Sequence, residues 1–206
     1  MRLRRLAVVV APAAFVVISH PTIAAANTTP TCMGHRATIV GTAGHDVITG
    51  TRHSDVIVAK GGSDTIRGRG GNDLICAGAG NDVVYGGAGA DHVRGARGAD
   101  HLNGGMNSDD LSGGPGADTE NGGDGDDVLT GGSGDDDLQG DDGNDQIEGD
   151  QGDDTMAGDR GEDSLSDDQG ENVEDGGSGS DSCTNTTSTT CDDDQGDDDS
   201  QGDEAQ

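Results

Sequence analysis

Aromatic residues are nearly missing from this chain of 206 residues: it has no tryptophan, one phenylalanine (Phe15) and one tyrosine (Tyr85). Aromatic and large aliphatic side chains supply most of the buried area of an ordinary core, and hydrophobic residues reach only 29%, so a conventional packed globule is excluded. Positive charge is also scarce, with 11 Lys and Arg against 41 Asp and Glu and a formal net charge of −30. A surface of that sign repels phosphate backbones and acidic membranes, which excludes nucleic acid and points to cations. Low hydrophobicity with high net charge is by itself the signature of disorder, so any fold needs another source of stability.

Long apolar runs are limited to one, residues 6–18. At about 1.5 Å per residue it spans roughly 20 Å, short of a hydrocarbon core of about 30 Å. Three arginines precede it within residues 1–5, and Ala24, Ala25 and Ala26 follow it. A basic head, an apolar stretch and small residues before a cut form the pattern of a secretory signal peptide. The mature chain is therefore expected to be secreted and extracellular, with no membrane span after cleavage.

Metal-thiolate and catalytic signatures are lacking as well. Cys32, Cys76, Cys183 and Cys191 include no Cys-x-x-Cys pair, and the histidines include no His-x-x-x-His pair, which argues against zinc. In an exported chain, four cysteines read as disulfides with three possible pairings. Cys32 with Cys76 and Cys183 with Cys191 are favoured, because they close a loop at each end and leave the middle free. Neither His-Glu-x-x-His nor Gly-x-Ser-x-Gly occurs, and residues 27–40 leave no room for a catalytic domain, so the chain is expected not to be an enzyme.

What is abundant is glycine, 39 residues in all, and it is phased. From Gly41 to Thr184 the chain divides into sixteen units of nine residues without insertion or deletion. Position six of the unit is Asp46, Asp55, Asp64, Asp73, Asp82, Asp91, Asp100, Asp109, Asp118, Asp127, Asp136, Asp145, Asp154, Asp163 and Asp181, broken only by Asn172. Position eight is aliphatic from Ile48 to Leu165 except at Glu120, with Glu174 and Cys183 in the last two units. Position four is Gly in fourteen of the sixteen units, the departures being His53 and Asn107. Each unit thus reads as a glycine-rich turn, an acidic residue, and a three-residue strand carrying one inward apolar side chain. The expected organisation is a signal peptide at 1–26, an N-terminal cap segment at 27–40, the repeats at 41–184 and an acidic low-complexity tail at 185–206.

The unit resembles the RTX, or haemolysin-type, calcium-binding nonapeptide Gly-Gly-x-Gly-x-Asp-x-U-x, in which U is a large aliphatic residue. Its first six positions are matched in full at 86–91, 113–118, 122–127, 131–136 and 176–181. The resemblance implies an all-β, right-handed parallel β-roll with two repeats per coil. It also implies multiple Ca2+ ions held between stacked turns by the position-six aspartates and turn carbonyls. That chemistry suits the residues: calcium takes six to eight oxygens at about 2.3–2.6 Å and accepts carboxylates and carbonyls alike. A monomeric, secreted calcium-binding protein that folds on binding metal is the expected function. The alternatives are a calcium-rigidified spacer or adhesive element on a cell wall or surface, and an accessory module of a secreted hydrolase.

The departures carry expectations too. Unit 167–175 lacks Gly at positions one and two and has Asn172 and Glu174, which predicts a weak or absent site. Glu120 is expected to strain the core or turn outward, and His53 to be the least comfortable turn residue. Asp141, Asp150 and Asp159 replace the second glycine but keep its carbonyl. Arg52, Lys60, Arg69 and Arg97 fall within turns of the basic half, where they should lower calcium affinity. The first five units should therefore serve partly as an N-terminal cap tied by Cys32 and Cys76, with denser occupation from about Gly86 onward.

Overall fold

The computed structural model describes residues 29–167 and 169–184. The expected signal peptide, Asp168, Cys191 and the acidic tail lie outside the described residues. Within them the chain is all strand and turn, with no helix. Two parallel sheets run its length, one of eight strands from Val47–Thr49 to Val173–Asp175, the other of nine strands from Ile39–Val40 to Ser182–Thr184. Successive strands alternate between the sheets, and every parallel partner lies eighteen residues away, as in Leu102 with Glu120 and Ile57 with Ile75. Two nonapeptides therefore make one coil of a β-solenoid, as the resemblance implies.

The strands are longer than the repeat suggests. A typical one, His101–Met106, has six residues and takes in positions seven to nine of one unit and one to three of the next. Only positions four to six turn. The Gly-Gly-x segment stays in the ladder because its backbone groups can pair across coils: residues at positions two and three are in register with those of the neighbouring coil, as Gly105 with Gly123 and Met106 with Asp124. A buried backbone donor or acceptor left unpaired would be costly.

Alternation along the strand places positions six, eight and one inside. The position-eight aliphatics stack as one column in each sheet, from Ile57 to Leu165 in the nine-stranded sheet and from Ile48 to Met156 in the other, nearly all inaccessible to solvent. Ile39, ahead of the first full repeat, already joins this core and pairs with Ile57. Glu120 does not turn outward. It stays in the column between Leu102 and Leu138, only 1% exposed, and Glu174 likewise faces in beside Met156.

The N-terminal end is closed by a short antiparallel pair, Thr31–Cys32 with His35–Arg36. It is pinned to the roll by the Cys32–Cys76 disulfide, with Cα atoms 5.7 Å apart. The disulfide favoured on loop-closing grounds is thus present at this end.

Left-handed backbone is concentrated at positions two and four. Lys60, Arg69, Ala96, Asp141, Asp150 and Asp159 adopt it at position two, and Asn107 at position four, with φ between 68° and 85°. His53 escapes the strain expected of it, since its φ is not positive. At Gly134, φ is +134° and a Cβ would overlap the carbonyl of Gly116 in the preceding coil. Gly134→Ala should therefore destabilise the folded protein by roughly 2–4 kcal/mol. Ala96→Gly should stabilise it by roughly 0.5–1 kcal/mol, strain relief outweighing the extra freedom of the unfolded chain. Urea unfolding of both variants checks the pair of signs.

Candidate metal centres between the coils

The position-six aspartates form two interior columns, one at each turn edge. In one column the backbone N–H of Asp46 donates to Oδ1 of Asp64 (2.7 Å), Asp64 to Asp82 (2.7 Å), and so on through Asp100, Asp118 and Asp136 to Asp154. The other runs from Asp55 through Asp73, Asp91, Asp109, Asp127, Asp145 and Asp163 to Asp181. Each carboxylate thereby ties its own turn to the one before it. The first column ends at Asn172, whose Oδ1 accepts the N–H of Asp154 at 2.8 Å.

The second oxygen distinguishes the units. From Asp64 to Asp163, and at Asp181, Oδ2 is buried and has no hydrogen-bond partner. A buried carboxylate oxygen with no donor is costly, and here the omission recurs once per unit. These oxygens converge with backbone carbonyls: a Cβ placed on Gly86 would lie 2.5 Å from Oδ2 of Asp91 and 2.7 Å from the carbonyl oxygen of Gly104 in the next coil. Position-one glycine is therefore a matter of space, for its bare Cα lets two oxygens approach the same point. Ala59 and Ala77 put a methyl there instead, fully buried.

The first coil is different. Oδ2 of Asp46 accepts the N–H (2.6 Å) and hydroxyl (3.0 Å) of Thr42, and Oδ2 of Asp55 accepts the N–H of Thr51 (2.7 Å). The Lys60 ammonium donates to the Gly41 carbonyl at 2.6 Å. Acceptors left open elsewhere are filled here by protein donors.

Burial sets the electrostatics. It pushes the carboxyls of Asp91, Asp100, Asp127 and Asp136 up to about 6 and those of Asp109 and Asp145 to about 7, against the opposing pull of the backbone N–H each accepts, with neighbouring aspartates adding to the rise. Asp154 also reaches about 7, through burial first and then through contact with Asp167. Burial holds Glu120 well above the usual carboxylate range, although backbone groups of Gly113 and Thr130 oppose it.

Among the described residues no group of three or more His, Cys, Asp or Glu side chains converges, so an ion here would draw on carbonyls as well as carboxylates. An all-oxygen donor set of one carboxylate and carbonyls per turn is the chemistry a hard divalent cation selects. The fit is therefore good in donor type and in the unmet acceptor at each turn.

A second, outer kind of column, one at each turn edge, was not visible in the repeat pattern. Side chains at position five accept backbone N–H groups from the next coil: Asp126 from Asn144 (3.0 Å), Asp135 from Asp153 (3.1 Å) and Asn144 from Glu162 (2.8 Å). The only sign of it in the sequence is the prevalence of Asn, Asp and Ser at that position.

A parallel β-solenoid with a stack of buried, half-satisfied aspartates at each turn edge defines the class of calcium-binding repeat rolls. The model of one family, the RTX calcium-binding nonapeptide repeat (4 copies), matches residues 36–65, 49–84, 85–120, 121–156 and 148–183. The chain belongs to that family, whose repeats bind calcium. No curated protein matches it.

Two outcomes follow. Folding raises these carboxyls from an ordinary value of 3.8, so the metal-free roll is most stable when they are protonated and loses that stability as pH rises through about 6–7. Circular dichroism of the chelated protein should show more β-structure at pH 5 than at pH 8; equal signals would contradict this. Separately, Glu120→Leu should restore the aliphatic column and stabilise the calcium-loaded protein by roughly 1–3 kcal/mol, read from its unfolding midpoint.

Proposed function

We propose that this is a secreted calcium-binding protein whose folding is driven by the ions it takes up between coils. The proposed ligands are Oδ2 of the position-six aspartates, with turn carbonyls of the adjoining coil. The observation that carries the reading is the unpartnered, buried Oδ2 recurring at one position per repeat. A structure that leaves so many interior acceptors unmet is incomplete without cations. Binding energy then becomes folding energy, because the sites exist only when the coils are stacked.

Occupation should be uneven. Acceptors of the first coil are met by its own Thr42 and Thr51 and by Lys60 of the second, and with the Cys32–Cys76 bridge this end supplies a metal-independent cap on which later coils stack. The segment 99–206 holds 35 acidic residues against Arg160 alone, so its compaction depends most on divalent charge. No catalytic role is assigned, and export through the leader-like segment at 1–26 remains part of the proposal.

The test is a calcium titration of the chelated mature chain at pH 7.5, followed by circular dichroism and by hydrodynamic radius. The expected result is a cooperative rise in β-signal and a fall in radius in calcium, with magnesium much less effective because it demands octahedral geometry and dehydrates reluctantly. An unchanged spectrum and radius in millimolar calcium would overturn the reading.

A further inference from the structure

We infer that Asp167 supplies a second carboxylate to the calcium site built around Asp154, so that unit 167–175 has moved its acid from position six to position one. This rests on the calcium reading above. By its sequence the unit is the weakest of the series, since Asn172 stands at the ligand position and Asp167 replaces the first glycine. The folded chain brings these two departures to one place.

In regular coils the space beside a position-one glycine is shared by the carboxylate of its own unit and the position-one carbonyl of the next coil, as the Gly176 carbonyl lies 2.7 Å from a Cβ placed on Gly158. At Gly149 the partners differ. Such a Cβ lies 2.5 Å from Oδ2 of Asp154, and its other near neighbour is Oδ2 of Asp167. A carboxylate oxygen has taken the carbonyl's place.

Asp167 is aimed into this space and held there. It is 4% exposed, its Oδ1 accepts the N–H of Gln169 at 2.9 Å, and its Oδ2 is buried without a hydrogen-bond partner. The facing Oδ2 of Asp154 is likewise buried and unpartnered. Two carboxylate oxygens that meet in the interior with no donor between them need a shared proton or a cation, and a divalent ion neutralises both. Asn172 keeps the structural half of the lost aspartate's work, accepting the Asp154 N–H and donating to the Gln169 carbonyl at 3.1 Å. Asp167 also lines a recess together with Glu148, Asp150, Ser166 and Thr184. Two carboxylates on one ion should make this one of the tighter sites, where the repeat pattern alone places one of the weakest.

The experiment counts calcium per chain by native mass spectrometry across a chelator series, using full-length mature protein. Wild type is compared with Asp167→Asn, which keeps the shape, with Asp167→Gly, which restores the repeat, and with the double variant Asp167→Asn/Asn172→Asp, which returns the acid to position six. Asp137→Asn, on the exposed side of its strand, is the control. Both single Asp167 variants should lose one ion at chelator levels the wild type withstands, a weakening of at least tenfold at one site; the double variant should regain it, and the control should match wild type. Unchanged counts and affinities in Asp167→Asn and Asp167→Gly would overturn the assignment while leaving calcium binding intact. A wild type that takes up no calcium would overturn the calcium reading itself, and this assignment with it.

Discussion

The structure depends on how an aspartate is used when it is buried at every turn. One oxygen accepts a backbone N–H from the preceding coil, which fixes the eighteen-residue register. From Asp64 onward the other is left without a protein partner. The first contact makes the carboxylate a structural element and the second makes it a liability, since burial penalises the charge. An interior built from two such columns is self-consistent only when protons or cations neutralise it. The aliphatic columns alone give each unit a single buried side chain of moderate size, too little to fix a nine-residue segment against its conformational entropy.

The two ends of the roll solve this problem differently. At the N-terminal end the donors are built in: threonines at position two, a lysine on a carbonyl, and a disulfide closing the short antiparallel pair. Further along, position two is Lys60, Arg69 and then Ala96 among glycines and aspartates, and from Asp64 onward the same carboxylate acceptors stay open. The change from seven basic and six acidic residues in 27–98 to one basic and 35 acidic residues in 99–206 follows the same division. In the proposed scheme the ions are therefore most needed where the protein offers fewest cations of its own.

Much of this was legible in the nine-residue phase. Asp at position six and an aliphatic at position eight lie two residues apart, hence on the same side of a strand, while two units per coil, and with them the alternating parallel sheets, came from the family resemblance rather than from the nine-residue period. Other features depend on partners eighteen residues away, which a single unit does not display. Strand length is one: positions one to three look like a turn in isolation because of their glycines, yet they pair across coils. The position-five column is another, since its acceptors meet donors only after stacking. Glu120 faces inward because the register of its neighbours, Leu102 and Leu138, leaves its strand no freedom to rotate one residue. The Asp167 carboxylate reads as a defect of its own unit and acquires a partner, Asp154, only from the preceding coil.

The most direct measurement is the anomalous diffraction of crystals grown in calcium, recorded where calcium scatters strongly. The account predicts peaks within coordination distance of Oδ2 of the aspartates from Asp91 to Asp163, each bridging to a position-one carbonyl of the adjoining coil or, at Asp154, to Asp167. Peaks confined to the outer position-five residues such as Asp126, Asp135 and Asp153, with the interior Oδ2 atoms still unmet, would contradict it.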